Sequence, residues 1–141
     1  MLILDKAKYH LQGDFPAEIS KENAYSLGGM FLGWCAENNL TSDSLKEDFP
    51  KEIDDFLTHT GQVNDLYRIC GGVLSEEELS SLGIAFANDY FNSENGLYMD
   101  DFVDILADKF PTPYHVPSTW ENYDLLRRTI DQRFAEWKQN K

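Results

Sequence analysis

The sequence predicts an all-α domain, an orthogonal bundle of about six helices with a short extended arm at the N-terminus. Three observations carry this. Apolar residues recur every three or four positions through most of the chain. Ser or Thr precedes several of these runs, where a hydroxyl can accept from a free first-turn N–H. Gly, Asn and Pro then end the runs. At 141 residues with 42% hydrophobic content, the chain is one domain, 1–141, with enough apolar material for a core.

Leu2 to Gln12 has an alternation that fits a short strand or an irregular arm. Gly13-Asp14-Phe15-Pro16 is a turn, with Phe15 placed to plug the core. Ser20 caps a helix from Lys21 to about Asn38, whose buried stripe is Leu27, Phe31, Trp34 and Cys35. Gly28, Gly29 and Gly33 each cost about 1 kcal/mol in a helix relative to Ala. Gly29 and Gly33 stand one turn apart, so another element is expected to pack there at close range. The glycines match no phosphate-loop pattern.

Thr41-Ser42-Asp43 starts the next helix, with Leu45, Phe49, Ile53, Phe56 and Leu57 on one face. Pro50 implies either a kink or a fresh helix start. His59-Thr60-Gly61 closes the segment, and Val63 to Cys70 forms a short helix ended by Gly71-Gly72.

Leu74 to Asp108 reads as a helical hairpin and carries the strongest local signals. Ser75 with Glu78 makes a capping box, and Leu74 with Leu79 a hydrophobic staple. Leu79, Leu82, Phe86 and Tyr90 form the first apolar face. Asn95-Gly96 makes the turn, and Met99, Phe102, Val103 and Leu106 form the second face. Asp100, Asp101, Asp104 and Asp108 fall mostly opposite it. Aligning Gly96 with the glycine of a calcium-binding loop places Phe91 and Phe102 at the terminal ligand positions, so no metal site is expected. The proline-rich stretch after Lys109 is extended. Ser118 and Glu121 make a second capping box for a last helix with Tyr123, Leu126, Ile130, Phe134 and Trp137 inward.

The net charge is −13 and unevenly spread. Residues 43–108 hold sixteen acids and three bases, while residues 109–141 hold four acids and six bases. Such a field opposes nucleic acid and anionic membranes and speeds capture of a basic partner. The basic edge of the last helix, Arg127, Arg128, Arg133 and Lys138, can dock against the acidic middle. No run of about 18 apolar residues is present. The first ten residues are too short and too soon charged for a signal peptide. Cys35 and Cys70 lack CxxC spacing and fit reduced thiols of a cytoplasmic protein.

His10, His59 and His115 are far apart, and no zinc-protease, nucleophile-elbow or deaminase motif occurs, so no catalytic residue and no cofactor is expected. GDFP at 13–16, GGMFLGWCAENNL at 28–40, YFNSENGLYMDDF at 90–102 and YHVPSTWENYDLLRRTIDQRFAEWK at 114–138 together resemble a family of small acidic bacterial proteins grouped as a domain of unknown function. Phe102 stands where that pattern has a second Tyr. Proteins of this size and acidity are similar to the immunity proteins of bacterial toxin systems.

The resemblance and the charge together imply a cytoplasmic binding protein that neutralises a basic, nuclease-type toxin by covering its active site. Expected contacts are Asp54, Asp55, Glu94, Asp100, Asp101 and Asp104, with Tyr98 and Tyr114 as aromatic anchors. The alternatives are a regulatory interaction domain without a toxin partner, an enzyme with an unrecognised site, and a DNA mimic.

Overall fold

A computed structural model describes residues 2–92, 94 and 96–140. The chain is mostly helical, as its periodicity predicts. In order it runs β1 (Ile3–Lys6), α1 (Ala7–Gln12), a 3-10 turn (Lys21–Tyr25), α2 (Ser26–Glu37), α3 (Asp43–Asp48), α4 (Pro50–Leu57), α5 (Asp65–Ile69), β2 (Val73–Ser75), α6 (Ser81–Tyr90), α7 (Tyr98–Phe102) running into a π-helical turn (Val103–Ala107), a 3-10 turn (Pro113–His115) and α8 (Trp120–Gln139).

α2 is the axis of the molecule, since every residue from Ser26 to Ala36 is buried. An element enclosed on all sides needs an apolar surface all round, and α2 has one. Its glycines take the expected close approaches. A Cβ on Gly33 would overlap the Phe56 ring of α4. One on Gly29 would overlap the Asn64 side chain, just before α5. The Gly28 Cβ position is filled by the Tyr67 phenol, which donates to Asp5 at 2.7 Å.

The N-terminal arm is a strand followed by a helix. β1 pairs antiparallel with β2 in the register Ile3↔Ser75, Asp5↔Leu74 and Lys6↔Val73, with an irregularity between Ile3 and Asp5. A bulge shifts the side-chain alternation, so Asp5 points inward and Ile3 outward. Pro50 opens α4 at its first turn, a new helix and not a kink.

Two predicted helix starts move. Ser75 and Glu78 make their reciprocal contact, with Glu78 Oε1 accepting from the Ser75 N–H at 2.7 Å, but they build a turn at the end of β2. Pairing with Ile3 holds Ser75 extended, and Leu79 bridges to Thr41. The helix starts instead after Ser80, whose hydroxyl accepts from the Gly83 N–H. Consequently Leu82 is exposed and Gly83, Phe86, Ala87 and Tyr90 face the core. At the last helix Thr119 is the cap, and Ser118 turns inward to the Ser26 hydroxyl and the Asn64 amide. Of the hairpin turn, Asn95 lies outside the described residues.

Candidate functional site: a furrow along α5

α5 is only five residues long and shows two faces. Leu66 and Tyr67 are buried against α2, and Ile69 stands 49% exposed between two grooves. One groove lies between α4 and α5, holds about 360 Å³ and is floored by Phe56, Leu66 and Ile69. The other lies between α3 and the turn after β2, holds about 390 Å³ and is floored by Leu45, Phe49, Ile69 and Cys70. Both include Ile69, and the furrow is this pair of adjoining grooves on either side of it.

The two ends differ in charge. At the α4 end, Glu52, Asp55 and Asp65 are answered by Lys51 and Arg68. Lys51 Nζ bonds Asp55 at 2.8 Å, and Arg68 reaches Asp65 at 3.3 Å and Glu22. At the α3 end the lining carboxylates are Asp48, Glu77 and Glu78, with no Lys or Arg among the lining residues. Burial is the main cause that raises the Glu78 carboxyl above the usual carboxylate range, against the lowering effect of its bonds from Ser75. Burial likewise pushes the Cys70 thiol up to about 12, with Glu78 and Glu52 adding to the rise. That thiol is therefore a poor nucleophile at neutral pH.

The expected contact residues scatter. Asp55 lines the furrow, and Asp54 is exposed on the same helix. Glu94, Asp100 and Asp104 are exposed on other elements. Two are corrected outright. Asp101 is 6% exposed, takes both Arg133 donors at 2.9–3.0 Å and accepts from the Tyr90 phenol at 2.7 Å. Its residue position on the helix points at α8, so it holds the fold together. Tyr98 is 2% exposed and donates to the Leu27 carbonyl, so it is a core residue and no anchor. Tyr114 is half-buried and packs on Phe15, with ring centroids 5.0 Å apart.

Tyr114 also ends the most chemically suggestive chain of side chains in the molecule. Asp5 Oδ1 lies 2.6 Å from His10 Nε2, and His10 Nδ1 lies 2.6 Å from the Tyr114 hydroxyl. Each ring nitrogen of His10 thus has one partner, with the donor and acceptor roles set by the imidazole tautomer. The arrangement has the order of a catalytic relay. The Tyr114 phenol, however, is raised by burial and by Asp5 and Asp14, the wrong direction for a nucleophile. The chain ties β1 and α1 to the 113–115 turn across 104 residues of sequence.

Sequence reasoning missed Asp48, Ile69, Glu77 and Glu78. Ile69 was legible as the apolar residue off the Leu66–Tyr67–Cys70 stripe. The glutamates were hidden by their helix-start pattern. Among the described residues no group of three or more His, Cys, Asp or Glu is placed to hold a metal ion, and no helix is long and apolar enough to cross a membrane.

Fold and site thus define a small acidic helical domain with a two-stranded sheet and an apolar-floored surface furrow. The chain belongs to the family described as Domain of unknown function (DUF7832), whose model matches residues 3–116. The furrow and the Asp5–His10–Tyr114 chain lie inside that span, and α8 lies beyond it. No curated protein and no solved structure matches the chain significantly.

Proposed function

We propose that this protein is a binding domain that captures a basic protein partner along the α5 furrow, acting as an immunity protein in the bacterial cytoplasm. The observation that supports this is the furrow's make-up: a half-exposed Ile69 on an apolar floor, rimmed by six carboxylates against two bases. Apolar burial at the centre supplies affinity. The carboxylate rim steers a basic surface in and suppresses acidic competitors. Covering a toxin's cationic substrate surface with this face neutralises it without chemistry.

The test is capture from the native host with tagged protein, at low and high salt, using wild type and Ile69→Asp. A stoichiometric basic partner held by wild type and lost by the variant, toxic alone and harmless when co-expressed, supports the reading. Equal capture by both proteins sinks it. A catalytic reading has the Asp5–His10 pair in its favour and the raised Tyr114 phenol against it.

A further inference from the structure

The furrow is asymmetric, and the asymmetry orients whatever lies in it. This inference rests on the docking reading above and adds to it the direction and the anchoring side chain. At the α4 end the rim is largely self-neutralised: Lys51 is held by Asp55, and Arg68 by Asp65 and Glu22. An incoming cation there meets Asp55 and Asp65 already paired, leaving Glu52 against the repulsion of two bases. At the α3 end Asp48, Glu77 and Glu78 line the groove without a lining base. Asp48 and Glu77 are exposed, while Glu78 is half-buried and oriented by the Ser75 N–H and hydroxyl. Leu45, Phe49, Ile69 and Cys70 form an apolar floor beside them.

We propose that the partner lies along α5 in one direction, seating an arginine at the α3 end beside Asp48, Glu77 and Glu78 and an apolar side chain on Ile69. A guanidinium suits this end better than an ammonium. It is more weakly hydrated, spans two carboxylates with its planar fork, and carries an aliphatic stem that the floor can cover. The half-buried Glu78 supports the assignment: it is partly desolvated and held in place by the Ser75 N–H and hydroxyl on one oxygen. The α4 end then takes a neutral or mixed-charge part of the partner.

The anchor alone tests the proposal. N-acetyl-arginine amide and its neutral counterpart N-acetyl-glutamine amide are titrated to tens of millimolar into the full ¹⁵N-labelled chain, and amide shifts are followed. The arginine probe is expected to shift Phe49, Ile69, Cys70, Glu77 and Glu78 with a millimolar Kd, the range of a single side chain. The neutral probe is expected to shift none of them. Glu77→Gln with Glu78→Gln is expected to weaken the arginine probe at least fivefold, and Asp108→Asn, at an exposed acid outside the furrow, to leave it unchanged.

Shifts centred on Glu52, Asp55 and Asp65, or undiminished in the double variant, overturn the proposed direction. No shift at the highest concentration also overturns the arginine anchor. Partner capture that is still lost in Ile69→Asp then shows that the docking reading survives without it. The amide spectrum of each variant reports folding, so an unfolded variant is recognised before its titration is read.

Discussion

At the scale of the residue, Glu78 shows how a half-buried carboxyl ties stability to pH. Its carboxyl is raised, so between the ordinary range near about 4.3 and its folded value the folded chain holds more protons than the unfolded one. Stability therefore falls as pH rises through that window, and the deficit persists at neutral pH. Glu78→Gln keeps an oxygen to accept from the Ser75 N–H and removes the buried charge. The melting temperature at pH 7 is expected to hold or rise, and the gain to vanish below about pH 4, where wild-type Glu78 is protonated too. A variant less stable than wild type at pH 7 shows that the charge is not a burden. Gly33 is the opposite kind of residue, with no chemistry and no tolerance. Gly33→Ala drives a methyl into the Phe56 ring, and overpacking of this kind costs about 1–3 kcal/mol. Urea denaturation at constant slope is the measurement.

At the scale of the element, α7 is joined to α8 through a bidentate pair. Asp101 is buried, and Arg133 is about a third exposed at 35%. Arg133→Met strips the carboxylate of two donors and leaves only the Tyr90 phenol. Removing one partner of a buried pair costs about 3–5 kcal/mol, and the exposure of Arg133 brings the expectation to about 2–3. Asp101→Leu combined with Arg133→Met leaves no charge buried and is expected to recover part of that loss, the remainder being the buried Tyr90 hydroxyl left without its acceptor. The pair also realises the expected docking of the basic last helix onto the acidic middle, although Arg127 pairs within its own helix, with Asp124 and Asp131. Most elements were legible because helix periodicity and caps are local. The exceptions share one cause. Ser75 and Glu78 have the residues of a helix start, but β1 claims Ser75 from 72 positions away. Ser118 precedes a helix and is drawn instead to Ser26 and Asn64.

At the scale of the molecule, charge and buried phenols set the response to solvent. With a net charge of −13, the chain repels itself. Moderate salt is expected to raise the melting temperature while weakening partner capture, because screening acts on both. Melting curves and capture at the same salts give the two signs directly. Tyr67, Tyr90, Tyr98 and Tyr123 all have phenols raised by burial first, and Tyr67, Tyr90 and Tyr123 also hydrogen-bond a carboxylate. Above about pH 10 the unfolded chain sheds protons that these four keep when folded. Stability is therefore lost as pH rises from there, and their ionisation is expected to coincide with unfolding. A tyrosinate absorbance step that precedes loss of helical signal contradicts this.

The sequence by itself determined the helical class, the position of most helices, the close approaches at Gly29 and Gly33, and the acidity of the middle of the chain. Each of these is written in spacing or composition. Only the tertiary structure decided which acids face solvent and which are spent inside. Asp100 and Asp101 are neighbours in sequence, yet one is exposed and the other is locked to Arg133. Asp5, His10 and Tyr114 meet only because β1, α1 and the 113–115 turn converge. The furrow likewise has no signature in the chain, because its floor comes from α3, α4 and α5 and its uncompensated rim from α3 and the turn after β2. A surface is a property of elements brought together, and periodicity reports only which face of each element is apolar.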